Sequence, residues 1–429
     1  MSEQRRFPVR RSAYLALPAV AAVLLAGCSG SPSGESSDGS TSFSLTYAKS
    51  NTIASPFETL AQDYMDSHPG VTITLSPQPN DTYGDAIRTQ LQAGNAPDVM
   101  ETEAGSGQSR SVIPLAEAGF LEAIPDAAEV IPPGSESSYS VDDSIYGLPL
   151  GVSYAGLILN KTTADSVGLA DFPTDFASVE KACATAADAG KSMFVVAGGA
   201  APNAGITALI VSATRVFAET PDWNEQRAAG DVTFADSEGW KDTLQTVVDL
   251  NEAGCFQGGV EGAGFDAITN NMTSGASLSF FGPLGSASEL AKASPDQTFV
   301  AQAFPPATSG DKPYGVASPT YSLSINAKSA NKEAAGDFLD WLADPAQATA
   351  FADASGGLPV SGLADMDFTG GTYEGVSDLL KNGDYTPLPN QAWANASVYD
   401  AMATGVQGLL TGQSSIDQVL ASMDTAWDQ

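Results

Sequence analysis

Hydrophobic positions along this chain change their spacing twice. Ala13 to Leu25 is an almost unbroken apolar run, interrupted by Pro18 and shorter than the ~20 residues that span a bilayer. After a polar stretch the spacing becomes that of regular secondary structure. "FSLTYA" (43–48) reads as a strand. "SPFETLAQDYMDSH" puts Phe57, Leu60, Ala61, Tyr64 and Met65 on one helical face, with Ser55 as N-cap and Pro56 at the first helical position. "VTITLS" is a second strand, "YGDAIRTQLQAG" a second helix, and a third strand falls around "PDVMET". Strand, helix, strand, helix, strand predicts an α/β fold with a parallel sheet covered by helices. In such sheets ligands collect outside the carboxyl ends of the strands, which makes Lys49-Ser50-Asn51 and Glu101-Thr102-Glu103 candidate site loops. Two more helices are predicted near the end, in "SVYDAMATGVQGLL" and "SSIDQVLASMDTAW".

The apolar run gains meaning from its flanks. Arg5, Arg6, Arg10 and Arg11 precede it, and Ala26-Gly27 close it, as in a cleaved export signal (1–27). The junction "LAGC" resembles a bacterial lipobox, which implies a diacylglycerol thioether on Cys28; an ordinary secretory signal is the alternative. The stretch that follows to residue 42, "SGSPSGESSDGSTS" after the cysteine, cannot bury apolar surface and is expected to act as a flexible tether. The Arg-Arg pairs leave the twin-arginine route open beside the general one.

Charge narrows the partners. The chain carries 18 basic against 51 acidic residues, a net charge of −33. Four of the basic residues lie ahead of Cys28, so the mature chain has no Lys/Arg cluster for nucleic acid or an anionic lipid surface. The sequence beyond the tether exceeds the ~250–300 residues that one core usually holds, so two lobes are expected. Outside the signal no long apolar run recurs, which excludes a polytopic membrane protein. Cys183 and Cys255 are even in number and exported, as a disulfide requires, with two separate buried thiols as the alternative. Closing their 72-residue loop would stabilise the fold by roughly 4 kcal/mol.

The order of "PGVTITL", "APDVMET", "LAEAGFLEAI", "YGLPLGVSYAGLILNK", "SFFGPLGS", "INAKSANKEAAGDFLDWLADPAQATAF" and "GGLPVS" resembles the extracellular solute-binding proteins of ABC importers, in particular their carbohydrate-binding, maltose-binding-protein-like group. The resemblance implies a periplasmic-binding-protein-like α/β fold. Its lobes would comprise 43–150 with 318–356 and 154–313 with 361–429, and would be joined by crossings near Leu150–Ser153, Tyr314–Ser318 and Gly356–Ser361. It also implies a monomer, lipid-anchored outside the cytoplasmic membrane, that closes on a sugar and presents it to a permease. A sugar needs flat apolar faces and hydroxyl partners. By position the aromatic candidates are Tyr154, Phe281, Tyr321 and Trp393, and the polar ones Lys49, Asn51, Glu103 and Ser153, with Asp311 further out. Trp240, Trp341 and Trp427 fall on amphipathic helices and read as core. One departure bears on the ligand: relatives commonly place a stacking Trp after the Gly-Pro of "FGPL", whereas this chain has Leu284.

Rival classes find less support. An enzyme needs a poised acid, base or nucleophile, and the single histidine, His68, sits in "DSHPGV" before a turn. Two carboxylates could serve a glycosidase, but acids occur throughout. "GVEGAG" lacks the setting of a phosphate loop, and "DMDFTGG" offers Asp365 and Asp367 without the other ligands of a calcium loop. No metal or cofactor is expected. A binding lipoprotein for another small solute or a peptide is the remaining alternative.

Overall fold

The computed structural model describes residues 41–49, 55–79, 82–132, 135–360 and 362–429. The export signal, Cys28, nearly all of the tether, Asn51 and Ser361 lie outside the described residues. The tether's last two positions, Thr41 and Ser42, already belong to a strand.

The sheet is built from β1 (Thr41–Lys49), β2 (Val71–Pro79), β3 (Val99–Thr102), β4 (Leu148–Asn160), β5 (Ser192–Val195), β6 (Ser277–Pro283), β7 (Phe299–Gln302) and β8 (Gly315–Asn326), with the short strands Leu121–Glu122 and Tyr385–Thr386 added beside β8. Their order is β2-β1-β3-β8-β4-β6-β5, with β7 beside β4. The first three strands are parallel, with helix Pro56–Ser67 between β1 and β2 and helix Tyr83–Ala93 between β2 and β3. Ser55 caps the first of these helices in a reciprocal pair with Glu58. The remainder of the sheet is mixed. β4 and β8 are 13 and 12 residues long and pair antiparallel, so two chain passages run side by side through its middle.

These two strands connect separate cores. Leu148 and Leu150 of β4 and Leu323 and Ile325 of β8 pack with Phe43, Leu45, Phe57, Leu60, Phe338 and Phe351. Further along β4, Leu157 and Leu159 pack with Phe194, Leu209, Phe281, Val398 and Met402, as does Val316 of β8. Between these stretches Val152 and Tyr154 of β4 and Ala317 of β8 belong to a further cluster with Ile158, Phe280 and Leu358, and there Ser153 lies opposite Ser318. A third passage joins them, where Val152 and Leu358 exchange both backbone hydrogen bonds at 2.7 and 2.8 Å. Sandwiching between helices explains why nearly every residue of β4 is apolar and buried.

The disulfide is present, with Cys183 of helix Phe176–Asp188 bonded to Cys255 at 2.08 Å inside the second core. No helix among the described residues is long and apolar enough to cross a membrane.

Candidate functional site

Where the two cores part, the carboxyl end of β3, the middle of β4 and β8, and the loop 388–391 enclose a cavity of about 290 Å³. Its polar wall begins with Glu101 and Glu103, separated by two positions on an extended chain, and Arg110 from the returning loop. Arg110 pairs with Glu103 through Nη2 and approaches Glu101 at 3.6 Å through Nη1. Its guanidinium lies over the Tyr83 ring at 5.6 Å. Tyr83 donates its hydroxyl proton to the Glu101 carbonyl at 2.9 Å, and Glu101 accepts the Ala48 amide at 2.7 Å. Burial pushes the Glu101 carboxyl, only 3% exposed, up to about 7 despite the opposing pull of Arg110. Burial works against the charge on Arg110 too, but Glu103 and Glu101 more than offset it and hold the guanidinium protonated.

The opposite wall is the segment Leu388–Gln391. Its backbone is fixed from several sides: Leu388 N–H donates to Ser318 Oγ, Ser106 N–H donates to the Gln391 carbonyl at 2.8 Å, and Asn224 Nδ2 donates to the Pro389 carbonyl at 3.1 Å. Gly105 has φ +78°, and a Cβ there would collide with the Gln391 carbonyl oxygen; one at Gly107 would collide with that of Asn390. Glycine is required for this approach. Asn390 and Gln391 line the cavity, and their amide oxygens, Oδ1 and Oε1, are buried without a hydrogen-bond partner.

The floor is Ser153, Pro319, Thr320 and Tyr321. Tyr321 has φ +54° within β8, a left-handed conformation costing a bulky residue on the order of 1–3 kcal/mol. That backbone turns the ring out of the sheet, where Phe57 and Phe351 meet it nearly edge-on at 6.1 and 5.6 Å and leave it 42% exposed. A smaller cavity of about 160 Å³ shares Ser153, Pro283, Thr320 and Tyr321 with the first.

Of the candidates named from the sequence, the cavity brings together Glu103, Ser153 and Tyr321. Lys49 instead bonds Glu58 at 2.6 Å and does not line it. Tyr154 is fully buried beneath Gly156 and Gly315, and Phe281 packs on Phe194 and Phe304, so neither ring offers a face. Trp393 is likewise corrected from ligand platform to core. It is 0% exposed, packs against Phe234 and Trp240, and donates its indole proton to Asn224 Oδ1 at 3.2 Å. Asp311 caps a turn on the surface by accepting Thr308 N–H. Leu284, where the resemblance led to the expectation of a stacking Trp, is buried. Sequence reasoning placed Glu101 in a candidate loop without naming it as a contact, and overlooked Arg110, Asn390 and Gln391. The E-x-E at a strand end followed seven positions later by a lone arginine was a usable signal for the first two.

Comparison with known proteins agrees with this architecture. Residues 48–349 match the profile of the family described as bacterial extracellular solute-binding protein. No curated protein matches in sequence. Among solved structures, a chitin oligosaccharide binding protein superposes with TM-score 0.75 at 17% identity, covering 91% of this chain and 98% of its own. A probable secreted solute-binding lipoprotein from Streptomyces coelicolor gives 0.70 at 16%, covering 92% and 100%. A Bacillus licheniformis sugar transporter in complex with stachyose gives 0.69 at 15%, covering 90% and 99%. At these identities the likeness is one of fold.

Proposed function

We propose, for a chain that belongs to the bacterial extracellular solute-binding protein family, that its solute is a neutral sugar held between the two cores. The family's members are binding proteins without catalysis, and the site is to be read as a binding site. The observation that carries the sugar reading is the combination in one cavity lining of an exposed aromatic, Tyr321, with two amide side chains, Asn390 and Gln391, whose oxygens have no partner. A pyranose presents both an apolar CH face and a rim of hydroxyls that donate as well as accept, so it meets both demands at once. The charges favour neutrality: among the described residues Arg110 is the only cation lining this cavity, and it is matched by Glu101 and Glu103, leaving nothing to balance an anionic ligand.

Closing the two walls on a sugar would turn occupancy into a shape that a permease of an ABC importer reads. Tethering through Cys28 would keep the protein at the outer face of the cytoplasmic membrane; a Cys28→Ser chain that stayed in the membrane fraction would refute it. The sugar itself is tested by a thermal-shift screen of neutral mono- and oligosaccharides, their uronic acid counterparts, amino acids and short peptides. A neutral sugar at a hundredfold excess over its Kd should stabilise by about 2.7 kcal/mol, with little from the uronate. Stabilisation by a peptide or amino acid alone would overturn the reading.

A further inference from the structure

We infer that the ligand is an oligosaccharide longer than a disaccharide, and that Phe265 is the platform for its outer units; this rests on the sugar reading of the cavity at Tyr321. Phe265 opens helix Phe265–Ser274, directly after the glycine-rich loop "GGVEGAG", and is 55% exposed. It and Tyr321 are the two large apolar side chains left exposed among the described residues. An exposed aromatic at a helix start has no packing reason to be there.

Its surroundings connect it to the site. Phe265 lines a cavity of about 690 Å³ with Ile268, Phe280, Pro283, Ser286 and Glu289. Pro283, Ser286 and Glu289 also line the 160 Å³ cavity, which in turn shares Ser153, Pro283, Thr320 and Tyr321 with the cavity below Arg110. The run from Arg110 past Tyr321 to Phe265 is therefore continuous and follows the carboxyl ends of β3 and β6. At about 290 Å³ the inner cavity lies at the small end of the ~300–1,000 Å³ of small-molecule sites, so it suits a short ligand. The outer cavity adds more than twice that volume, with an apolar floor and a rim of hydroxyl and carboxylate. The occupant it fits is the continuation of the same ligand: further pyranose units, with a CH face on the Phe265 ring and hydroxyls toward Ser286 and Glu289.

The test is a set of binding isotherms for wild type, Phe265→Ala and Phe265→Tyr against malto-, cello-, chito- and xylo-oligosaccharide ladders, from monosaccharide to hexasaccharide. In the series that binds, wild-type affinity should rise beyond the disaccharide. Phe265→Ala should weaken the longer members about fivefold to tenfold, as expected for loss of a stacked aromatic face, and the mono- and disaccharide less than about twofold. Phe265→Tyr should restore the longer members, and the unliganded melting temperature should not move in either variant. Affinity that is flat beyond the disaccharide, or a Phe265→Ala effect that is independent of length or missing, overturns the inference and leaves the sugar reading standing. Failure of every ladder to bind wild type overturns both.

Discussion

Tyr321, which lines the site, and Trp393, which lies just beyond the segment forming its opposite wall, are held in opposite ways. Trp393 follows the wall 388–391 and is itself held by favourable contacts: its indole is sunk between Phe234 and Trp240, its Nε1 is bonded, and its carbonyl accepts Ser106 Oγ at 2.7 Å. Tyr321 stands on the other side in a left-handed backbone, half in solvent, next to the buried charges of Glu101 and Arg110. One aromatic stabilises the frame, and the other is stabilised by it. Strain and buried charge persist where surrounding structure over-determines them, and such positions cluster at functional sites. Substitutions around Trp393 should therefore cost folding, whereas substitutions around Tyr321 should cost binding.

The largest effect is expected from Trp393→Ala, which removes a fully buried indole and should destabilise the protein by about 3–5 kcal/mol in urea unfolding. Sugar binding would then fall only as the loop 388–391 loosens. A variant with an unchanged unfolding midpoint but lost affinity would make Trp393 a ligand contact and dissolve the contrast.

Glu101 gives the next. Its carboxyl is raised in the folded chain to about 7 from an ordinary 4.5, so the native state binds the proton more tightly than the unfolded state does. Its contribution is fully present below about pH 4.5 and is lost as pH rises through about 7, a swing of about 3 kcal/mol at 1.36 kcal/mol per unit. Glu101→Gln should remove that decline from the stability profile between pH 4.5 and 8. Parallel profiles for the two proteins would show that the carboxyl is solvated.

These two residues also mark where the sequence could be read and where it could not. The strand and helix succession from Phe43 to Thr102 was legible because apolar period and the Ser55-Pro56 cap are local properties. The disulfide was legible as a pairing, since an exported chain with two remaining cysteines has few options. What was not legible is direction. Trp393 sits in "LPNQAWANAS", a segment with no helical period, and nothing local states whether the indole or the preceding amides face the cavity; the aromatic cluster around Trp240, distant in sequence, decides it. Tyr154 and Phe281 failed for the same reason, because on strands buried on both faces alternation carries no inside or outside. The left-handed backbone that exposes Tyr321 leaves no mark in residue types, and nothing in the residues around Phe265 marks its ring as exposed.

The smallest of these effects in energy bears most directly on the account, since it concerns the residue that should bind without stabilising. Tyr321→Ala should be titrated calorimetrically with the neutral sugar that stabilises wild type, alongside unfolding of the unliganded variant. Affinity should fall about tenfold, equivalent to 1.4 kcal/mol, while the unfolding midpoint moves far less than in Trp393→Ala, because the Tyr321 ring meets Phe57 and Phe351 only edge-on and is 42% exposed. Undiminished affinity in Tyr321→Ala would contradict the account.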